Sequence, residues 1–417
     1  MTINSAAPAE VPSPGSPDRV TGGSRRRVRP GSGRVVVLVV GVACFLASSS
    51  PAAGAGDQPP PLPSGTDRCV GASPVVSSEP SWAALQMAPS LAWPLARGNG
   101  VVVAVVDSGV SSAAPALAGA VKQGADVVKG GRADSDCQGR GTALAGIVAA
   151  RPVRGSAVVG MAPEATVLPV RITDERGGIP DGSLAKGIKA AVENGARVIL
   201  VGTGTTKPDS DLRAAVEEAV AHDVVVVAAA GTEAESGKAW YPAAYDSVLA
   251  VSGMSGAGAP TATGSRDARV DLLAPATDVV TIAPVGAGHY RVGGTAVAAA
   301  YAAGTAALVR SYLPELTQDQ VRQRLRLTAE QLPGTAGPGT GGAGMLDPYA
   351  AVSATAPEQR TQPVGSAPRP VALPSAPPAD PTVGAAAAIA AGMAVAAGVV
   401  FVVVFTVTRG RRRRVRR

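Results

Sequence analysis

The sequence has few side chains suited to holding a metal ion. It contains three cysteines and two histidines in 417 residues, and the residues around His222 and His289 indicate ordinary surface or turn positions. Structural zinc sites take four cysteine or histidine ligands, usually in closely spaced pairs, whereas these five residues are far apart in the sequence, and we expect no metal and no other cofactor. A metal held by Cys69 and Cys137 is the weaker alternative. The glycine-rich segment 202–207 lacks the spacing of a phosphate-binding loop, which argues against a nucleotide.

The body of the chain also lacks a net positive charge. The formal net charge is +7, but residues 409–417 hold seven arginines, and residues 1–55 hold six arginines against two acidic residues. Residues 56–408 therefore carry four net negative charges. The high isoelectric point reflects the two ends, and we expect no nucleic-acid partner.

The first end has the pattern of an export signal. Arginines precede an apolar run at 35–47 that is short for a membrane span, and the AGA sequence at 53–55 fits a cleavage site. We expect residues 1–55 to be a signal peptide. A mis-chosen start codon and a twin-arginine signal at 24–30 stay open as explanations of its length. A lipoprotein anchor on Cys44 is disfavoured because that cysteine lies inside the apolar run.

The other end has the pattern of a membrane anchor. Residues 384–408 contain no charge, and a helix of that length crosses the roughly 30 Å hydrocarbon core of a bilayer. The basic residues 409–417 follow directly, so the positive-inside rule places this tail in the cytoplasm and the large domain outside. The proline-rich segment 355–383 is typical of a semi-rigid stalk. A buried helix followed by a nucleic-acid tail is the disfavoured alternative.

Two cysteines are left once a signal peptide is removed. Disulfides are favoured in exported domains, so we expect Cys69 and Cys137 to pair. The bond would tie an N-terminal extension, residues 56–97, to the domain that follows. In the chain-entropy account, closing a loop of this length stabilises the fold by about 4 kcal/mol. Trp82 and Trp93 are the predicted apolar anchors of the extension.

Residues 98–354 alternate between two apolar patterns. Short β-branched runs are typical of buried parallel strands, and the segments between them place apolar residues at helical spacing. This alternation predicts an α/β domain with a doubly wound parallel sheet and helices on both faces. The predicted strands cover 101–106, 165–172, 196–201, 224–230 and 247–253, and the predicted helices cover 142–150, 183–195, 211–222 and 314–330, the last with Thr317 as N-cap.

One further segment, 291–310, combines a glycine turn with a helix made almost wholly of alanine and glycine. Such small residues allow another backbone to pack closely, so we expect this helix at the centre of the fold. Asp107 directly follows the strand at 101–106. Sites in open parallel sheets lie beyond the carboxyl ends of strands, where a carboxylate is able to orient an imidazole. A single turn aspartate is weak evidence on its own.

Six motifs of the body occur together in one known family. They are GNGVVVAVVDSGV (98–110), CQGRGTALAGIVAA (137–150), VVGMAPEATVLPVRI (158–172), VVVVAAAG (224–231), YPAAYDSVLAVSG (241–253) and GTAVAAAYAAGTAALV (294–309). With them, residues 81–354 resemble the subtilisin-like serine proteases, and most closely the mycosins, the membrane-anchored subtilases of type VII secretion. The resemblance implies a subtilisin-like fold on a bacterial cell membrane. It also implies type VII secretion components and an extended peptide as candidate partners.

The resemblance assigns the catalytic positions residue by residue. Asp107 matches the triad aspartate, whereas Arg140 stands where the family's GHGT motif has histidine and Ala296 stands where its GTS motif has serine. Thr232 stands where AAGN has the oxyanion-hole asparagine. The triad is therefore degenerate. We expect Arg140 and Asp107 to form a charge-assisted ion pair, with bidentate geometry left open, and removal of Asp107 to lower thermal stability.

Three functions follow from this pattern. The first is a proteolytically inactive, membrane-anchored scaffold or binding component of a type VII secretion system. The second is an active serine endopeptidase with rearranged catalytic residues, which a serine-directed phosphonate probe would label. The third is a peptide-binding module that uses the former substrate cleft without turnover.

Overall fold

The computed structural model describes residues 58–64, 68–231, 238–261, 269–332, 342–355, 392–393 and 395–399. The predicted signal peptide and basic tail, nearly all of the stalk, most of the membrane span, and Thr232 lie outside the described residues. Residues 392–393 and 395–399 are helical. Within the described ranges, no helix has the length and apolar character needed to span a membrane.

The β-branched runs form the strands of one parallel sheet. These strands are β1 (Val102–Asp107), β2 (Ala125–Asp126), β3 (Thr166–Arg171), β4 (Val198–Val201), β5 (Val225–Ala229), β6 (Leu249–Met254) and β7 (Leu272–Pro275). They pair in the order β2-β3-β1-β4-β5-β6-β7, and every pairing is parallel. β1 and β3 to β6 confirm the five predicted strands. β1 lies inside the sheet, so its carboxyl end is flanked by the ends of β3 and β4.

Helices cover both faces of the sheet. They are α1 (Trp82–Met87), α2 (Arg140–Ala149), α3 (Ser183–Glu193), α4 (Ser210–Ala221), α5 (Thr295–Tyr312), α6 (Gln318–Leu327) and α7 (Pro348–Ser353). Alternate residues of β1 belong to two cores: Val103 and Val105 pack with α2 and α5, whereas Ala104 and Val106 pack with α3 and α4. This arrangement confirms the predicted doubly wound architecture.

α5 is the central helix that its small residues predict. Nearly all of its side chains are buried, and it contacts β4 to β7 as well as α2. A Cβ at Gly304 would lie 2.5 Å from the Cβ of Met161, so this position requires glycine. α6 begins after Thr317, whose side chain forms a capping box with Gln320, and the predicted N-cap is therefore correct.

The N-terminal extension packs along the domain and is bonded to it. Cys69 and Cys137 form the predicted disulfide. Trp82 donates from Nε1 to the carbonyl of Thr277 at 2.9 Å, and Trp93 donates to the carbonyl of Met161 at 3.0 Å. The two tryptophans thus anchor the extension by a hydrogen bond in addition to apolar contact.

A small antiparallel hairpin, β8 (Val279–Ile282) and β9 (His289–Val292), was not predicted. The prediction of a surface or turn position for His289 is wrong, because the extension covers β9 and buries the ring. Its Nδ1 accepts the N–H of Ser77 at 2.7 Å, and its Nε2 lies 3.0 Å from Ser156 Oγ. His222 is exposed at the C-terminal end of α4, as predicted.

Candidate active site

Asp107 ends β1 at the carboxyl edge of the sheet, and its side chain is completely buried. Oδ1 accepts the N–H of Ser108 at 2.8 Å. Oδ2 has no hydrogen-bond partner among the described residues. A Cβ at Gly202, just after β4, would lie 2.4 Å from Oδ2. Glycine at that position therefore leaves room for the carboxylate beneath the strand ends.

Arg140 is the first residue of α2, which begins after Gly139 in a left-handed conformation (φ 75°). Its Nε donates to Asp107 Oδ1 at 2.7 Å, while 40% of its side chain stays exposed. The contact is a single hydrogen bond, since Nη2 has no partner among the described residues. The charge of Asp107 raises the pKa of Arg140 above its usual range. The guanidinium is therefore protonated at every physiological pH.

A third charged residue, Asp136, organises the loop before α2 and was missed by sequence reasoning. It is buried and accepts the N–H groups of Gln138, Gly139 and Thr142 together with the hydroxyls of Ser108 and Thr142. Burial raises the pKa of Asp136, although these hydrogen bonds oppose the rise. The carboxylate thereby fixes the turn that presents the first residue of α2. Its position one residue before the CQGRGT motif was the available signal.

Ala296 is the second residue of α5, at the helix end that faces the same edge. Gly294 serves as N-cap with φ 103°, and the helix has neither a side-chain cap nor an acidic residue in its first turn. Thr295 donates its hydroxyl to the carbonyl of Gly231, which makes it a structural turn residue as expected. Thr232 follows Gly231 and lies outside the described residues.

These residues surround a cavity of about 770 Å³. Arg140 and Ala296 both line it, whereas Asp107 lies beneath the lining. Most of the lining is apolar or glycine. The other lining residues are Pro61, Leu62, Ala143, Leu144, Gly202, Thr203, Ala229, Gly231, Trp240, Thr261, Ala276, Thr277, Asp278, Arg291, Val292, Gly293, Gly294, Thr295 and Val297.

The N-terminal extension supplies part of the cavity rim. The N–H of Leu62 donates to the carbonyl of Arg291 at 2.9 Å, and the N–H of Arg291 donates to the carbonyl of Pro60 at 2.8 Å. The Arg291 guanidinium holds the carbonyl of Pro59 at 2.8 Å and Asp278 at 2.7 Å. The extension thus pairs with the edge of β9 next to the cavity, which sequence reasoning did not anticipate.

The described cavity lining offers little for acyl transfer. It contains threonine hydroxyls but no serine, cysteine or histidine. The buried ring of His289 contacts Ser77 and Ser156, which are not lining residues, and His222 does not line the cavity either. Among the described residues, no group of three or more histidine, cysteine, aspartate or glutamate side chains is placed to hold a metal.

Comparisons with known sequences agree with this architecture. The profile of the Subtilase family matches residues 98–347. Subtilisin DY of Bacillus licheniformis is 34% identical over 239 residues, which are 57% of this chain and 86% of that protein. Thermitase of Thermoactinomyces vulgaris is 34% identical over 244 residues, covering 58% of this chain and 86% of thermitase.

Solved structures of mycosins are also similar. MycP1 from Mycobacterium smegmatis has 28% identity and a TM-score of 0.59, covering 74% of this chain and 97% of MycP1. The MycP3 protease from the type VII (ESX-3) secretion system has 28% identity and a TM-score of 0.61, covering 72% of this chain and 97% of MycP3. The parallel sheet, the helix packing and the family profile agree, and the chain belongs to the subtilase family.

Proposed function

We propose that this protein is a pseudoprotease of mycosin type, anchored in a bacterial membrane with its large domain outside, and a scaffold or binding component of a type VII secretion system. One observation carries the loss of catalysis, the 2.7 Å contact of Arg140 Nε with Asp107 Oδ1. An arginine occupies the position of the proton-accepting histidine. It also binds the carboxylate that would orient that histidine.

The chemistry of the two substituted positions supports this proposal. Acyl transfer needs a nucleophile, a base that is deprotonated near neutral pH, and donors that stabilise the oxyanion. Ala296 has no nucleophilic atom, and an arginine keeps its proton in proteins. In subtilisin, loss of the serine or the histidine alone lowers turnover about a millionfold. Two such losses in one chain leave no route through the usual triad.

The scaffold role is supported by the relatives and by the retained fold. A similar solved structure, at 29% identity and a TM-score of 0.61 over 70% of this chain and 96% of that one, is the serine protease MycP1, an essential component of the type VII (ESX-1) secretion system. This chain has a packed central helix, a disulfide and an anchored extension although Arg140 and Ala296 replace the reactive groups. A domain kept in this form is suited to binding other proteins.

A labelling experiment tests the loss of catalysis. The full chain, solubilised from membranes in mild detergent, is treated with a fluorophosphonate probe that reacts with activated serines. We expect no labelling, whereas an active mycosin treated in parallel is labelled. Labelling of this chain at any of its own serines would overturn the pseudoprotease proposal and favour the active endopeptidase instead.

Co-purification tests the scaffold role. A tagged full chain is expressed in its own host, solubilised under conditions that preserve membrane complexes, and isolated with whatever is bound. We expect secretion-system membrane components to be recovered in fixed proportion. Recovery of the chain alone from cells in which the secretion system is intact would argue against the scaffold.

A further inference from the structure

We infer that the cavity binds the free C-terminal carboxylate of a peptide, held between Arg140 and the N-terminus of α5. This inference rests on the proposed function and names the ligand class that the inactive cleft takes. The protein would then bind the C-termini of peptides rather than internal peptide segments.

The charges around the cavity favour an anion. Three charged residues line its described part: Arg140, Arg291 and Asp278. Arg291 and Asp278 pair with each other at 2.7 Å. The remaining cation, Arg140, has its counter-ion Asp107 below the lining, with no exposed surface. A ligand in the cavity therefore meets a guanidinium while the neutralising carboxylate is hidden from it.

Arg140 and the start of α5 both offer hydrogen-bond donors to the cavity. Arg140 uses Nε for Asp107, and 40% of its side chain is exposed. α5 presents its uncapped N-terminus to the same space. A carboxylate offers two acceptor oxygens and a negative charge, which suit both a guanidinium and a helix N-terminus.

The size and lining of the cavity favour a peptide over a small anion. A volume of about 770 Å³ is far larger than an inorganic anion needs. Pro61, Leu62 and Val292 provide apolar surface, and glycines at 293 and 294 leave their backbone accessible in the lining. The carboxylate would lie at the charged end, and the preceding side chains would occupy the apolar part.

The reaction of active subtilases explains why a carboxylate would bind between Arg140 and the start of α5. A peptide that ends near the start of α5 is placed like the carboxylate product of proteolysis. In an active enzyme, histidine is mostly neutral after turnover, so the product carboxylate has no permanent cation to hold it. Arg140 does not lose its proton, and Ala296 removes the hydroxyl that would crowd the ligand. The two substitutions together convert product release into product retention.

Affinity selection tests the inference on the full chain in detergent. Two libraries of N-acetylated hexapeptides, degenerate at every position, are offered in equal amounts; one ends in a free carboxylate and the other in a carboxamide. Mass spectrometry of the retained peptides measures their ratio. We expect the carboxylate form to be retained at least tenfold more than the carboxamide form. Equal retention of the two forms, or retention of neither, would overturn the inference.

Two variants locate the effect. Ala296→Asp places a carboxylate at the α5 N-terminus, where the helix dipole stabilises it, and we expect it to abolish the preference for carboxylate peptides. Asp107→Asn with Arg140→Gln removes both charges without leaving either one buried alone, and it should reduce the preference in the same way. An undiminished preference in both folded variants would contradict the assignment. Shortened peptides in the eluate would instead contradict the pseudoprotease proposal.

Discussion

Two aspartate–arginine pairs lie at opposite edges of the sheet. The aspartate is the buried member of one pair, and the arginine is the buried member of the other. At the carboxyl edge, Asp107 is 0% exposed and Arg140 is 40% exposed; at the amino edge, Arg310 is 1% exposed and Asp223 is 38% exposed. α5 connects the two, since its N-terminus faces the cavity and Arg310 lies in its last turn. The same residue types therefore meet opposite environments within one domain.

The amino-edge pair is the better connected of the two. Arg310 donates to the Asp223 carboxylate at 2.9 Å and to the carbonyls of Leu316 and Asp223 at 2.5 Å, and Asp223 also pairs with Arg197 and accepts the N–H of Gln318. Burial raises the pKa of Asp223, but hydrogen bonds from Arg310 and Gln318 outweigh it and lower the pKa overall. The Asp107 pair has one hydrogen bond. The comparison indicates a structural pair at one edge and a pair open to a ligand at the other.

The largest expected effect comes from converting the carboxyl-edge pair back into a catalytic one. The triple variant Arg140→His, Ala296→Ser, Thr232→Asn restores the family residues at three positions. We expect peptide hydrolysis at least about a thousandfold above the unmodified chain, because serine and histidine each account for a far larger factor in subtilisin. Turnover of a fluorogenic peptide by the solubilised full chain measures this.

Its matched control keeps Ala296 and carries only Arg140→His and Thr232→Asn. This control should hydrolyse nothing, since it lacks the nucleophile. Activity in the control, or a folded triple variant without activity, would refute the assignment of these positions.

The next largest effect is expected when the two members of the carboxyl-edge pair are removed one at a time. Arg140→Met leaves a fully buried carboxylate whose one remaining partner among the described residues is the N–H of Ser108, and we expect the free energy of unfolding to fall by about 3 kcal/mol. Asp107→Asn leaves an arginine that reaches water, so about 1 kcal/mol is expected. Thermal denaturation of the full chain, followed by circular dichroism, should show the larger drop for Arg140→Met.

Arg132→Met is the control for this prediction, because Arg132 is 60% exposed in its pair with Asp134. It should melt like the unmodified chain, as exposed ion pairs contribute little. If Asp107→Asn melts lower than Arg140→Met, burial does not govern the pair.

A smaller effect is expected at the amino edge. Asp223 has φ 57°, which asparagine tolerates, so Asp223→Asn removes the charge without straining the backbone. We expect a loss of about 2 kcal/mol, less than for Arg140→Met, because Arg310 keeps its two carbonyl acceptors. Urea unfolding measures the difference.

Asp278→Asn provides the comparison for this change. Asp278 also has a positive φ, 48°, and pairs with an arginine, but its side chain is 71% exposed. No measurable loss is expected there. A larger loss at Asp278 than at Asp223 would contradict the structural role of the amino-edge pair.

The sequence predicts an element of the fold well where its local pattern agrees with its tertiary packing. β1 and β3 to β6 are continuous β-branched runs buried on both faces, and α5 is a long stretch of small residues, so local pattern and tertiary packing agree. β2 has only two residues, and β8 and β9 are short and lie beside a glycine-rich turn. Their strand character arises from pairing partners that are distant in the sequence, which local pattern does not contain.

The candidate site was predicted only in part, because sequence motifs identify positions but do not contain side-chain packing. Asp107 and Arg140 were expected to pair because they stand at the triad aspartate and histidine positions of the family motifs, and the structure joins them. The single hydrogen bond and the burial asymmetry depend on side-chain packing around Gly202 and were not predictable. Asp136, whose partners are mostly neighbours in the chain, was missed because it adjoins the motif without changing the helical or strand pattern.

The smallest expected effect concerns His289, a buried group whose partners among the described residues are uncharged. Desolvation lowers the pKa of His289 in the folded protein, so its contribution to stability is complete above the unfolded value of about 6.5 and is lost as pH falls below it. Protonation of Nδ1 would break the hydrogen bond from Ser77. By linkage, the loss at pH 5.5 is at most about 1.4 kcal/mol. The raised pKa of Asp136 acts in the opposite sense, since its protonation on acidification favours the folded state.

The contribution of His289 is isolated by comparing the unfolding free energies of a variant and the unmodified chain. His289→Gln keeps an acceptor and a donor without a titrating ring, so the difference in unfolding free energy between it and the unmodified chain should change between pH 7.5 and pH 5.5. Asp136 is present in both proteins and cancels. His222→Gln, at the exposed end of α4, should retain the full pH dependence. A pH dependence that persists in His289→Gln would show that burial by the extension does not control this titration. The two ion pairs would then be the better test of how burial affects the contribution of a charged group to stability in this fold.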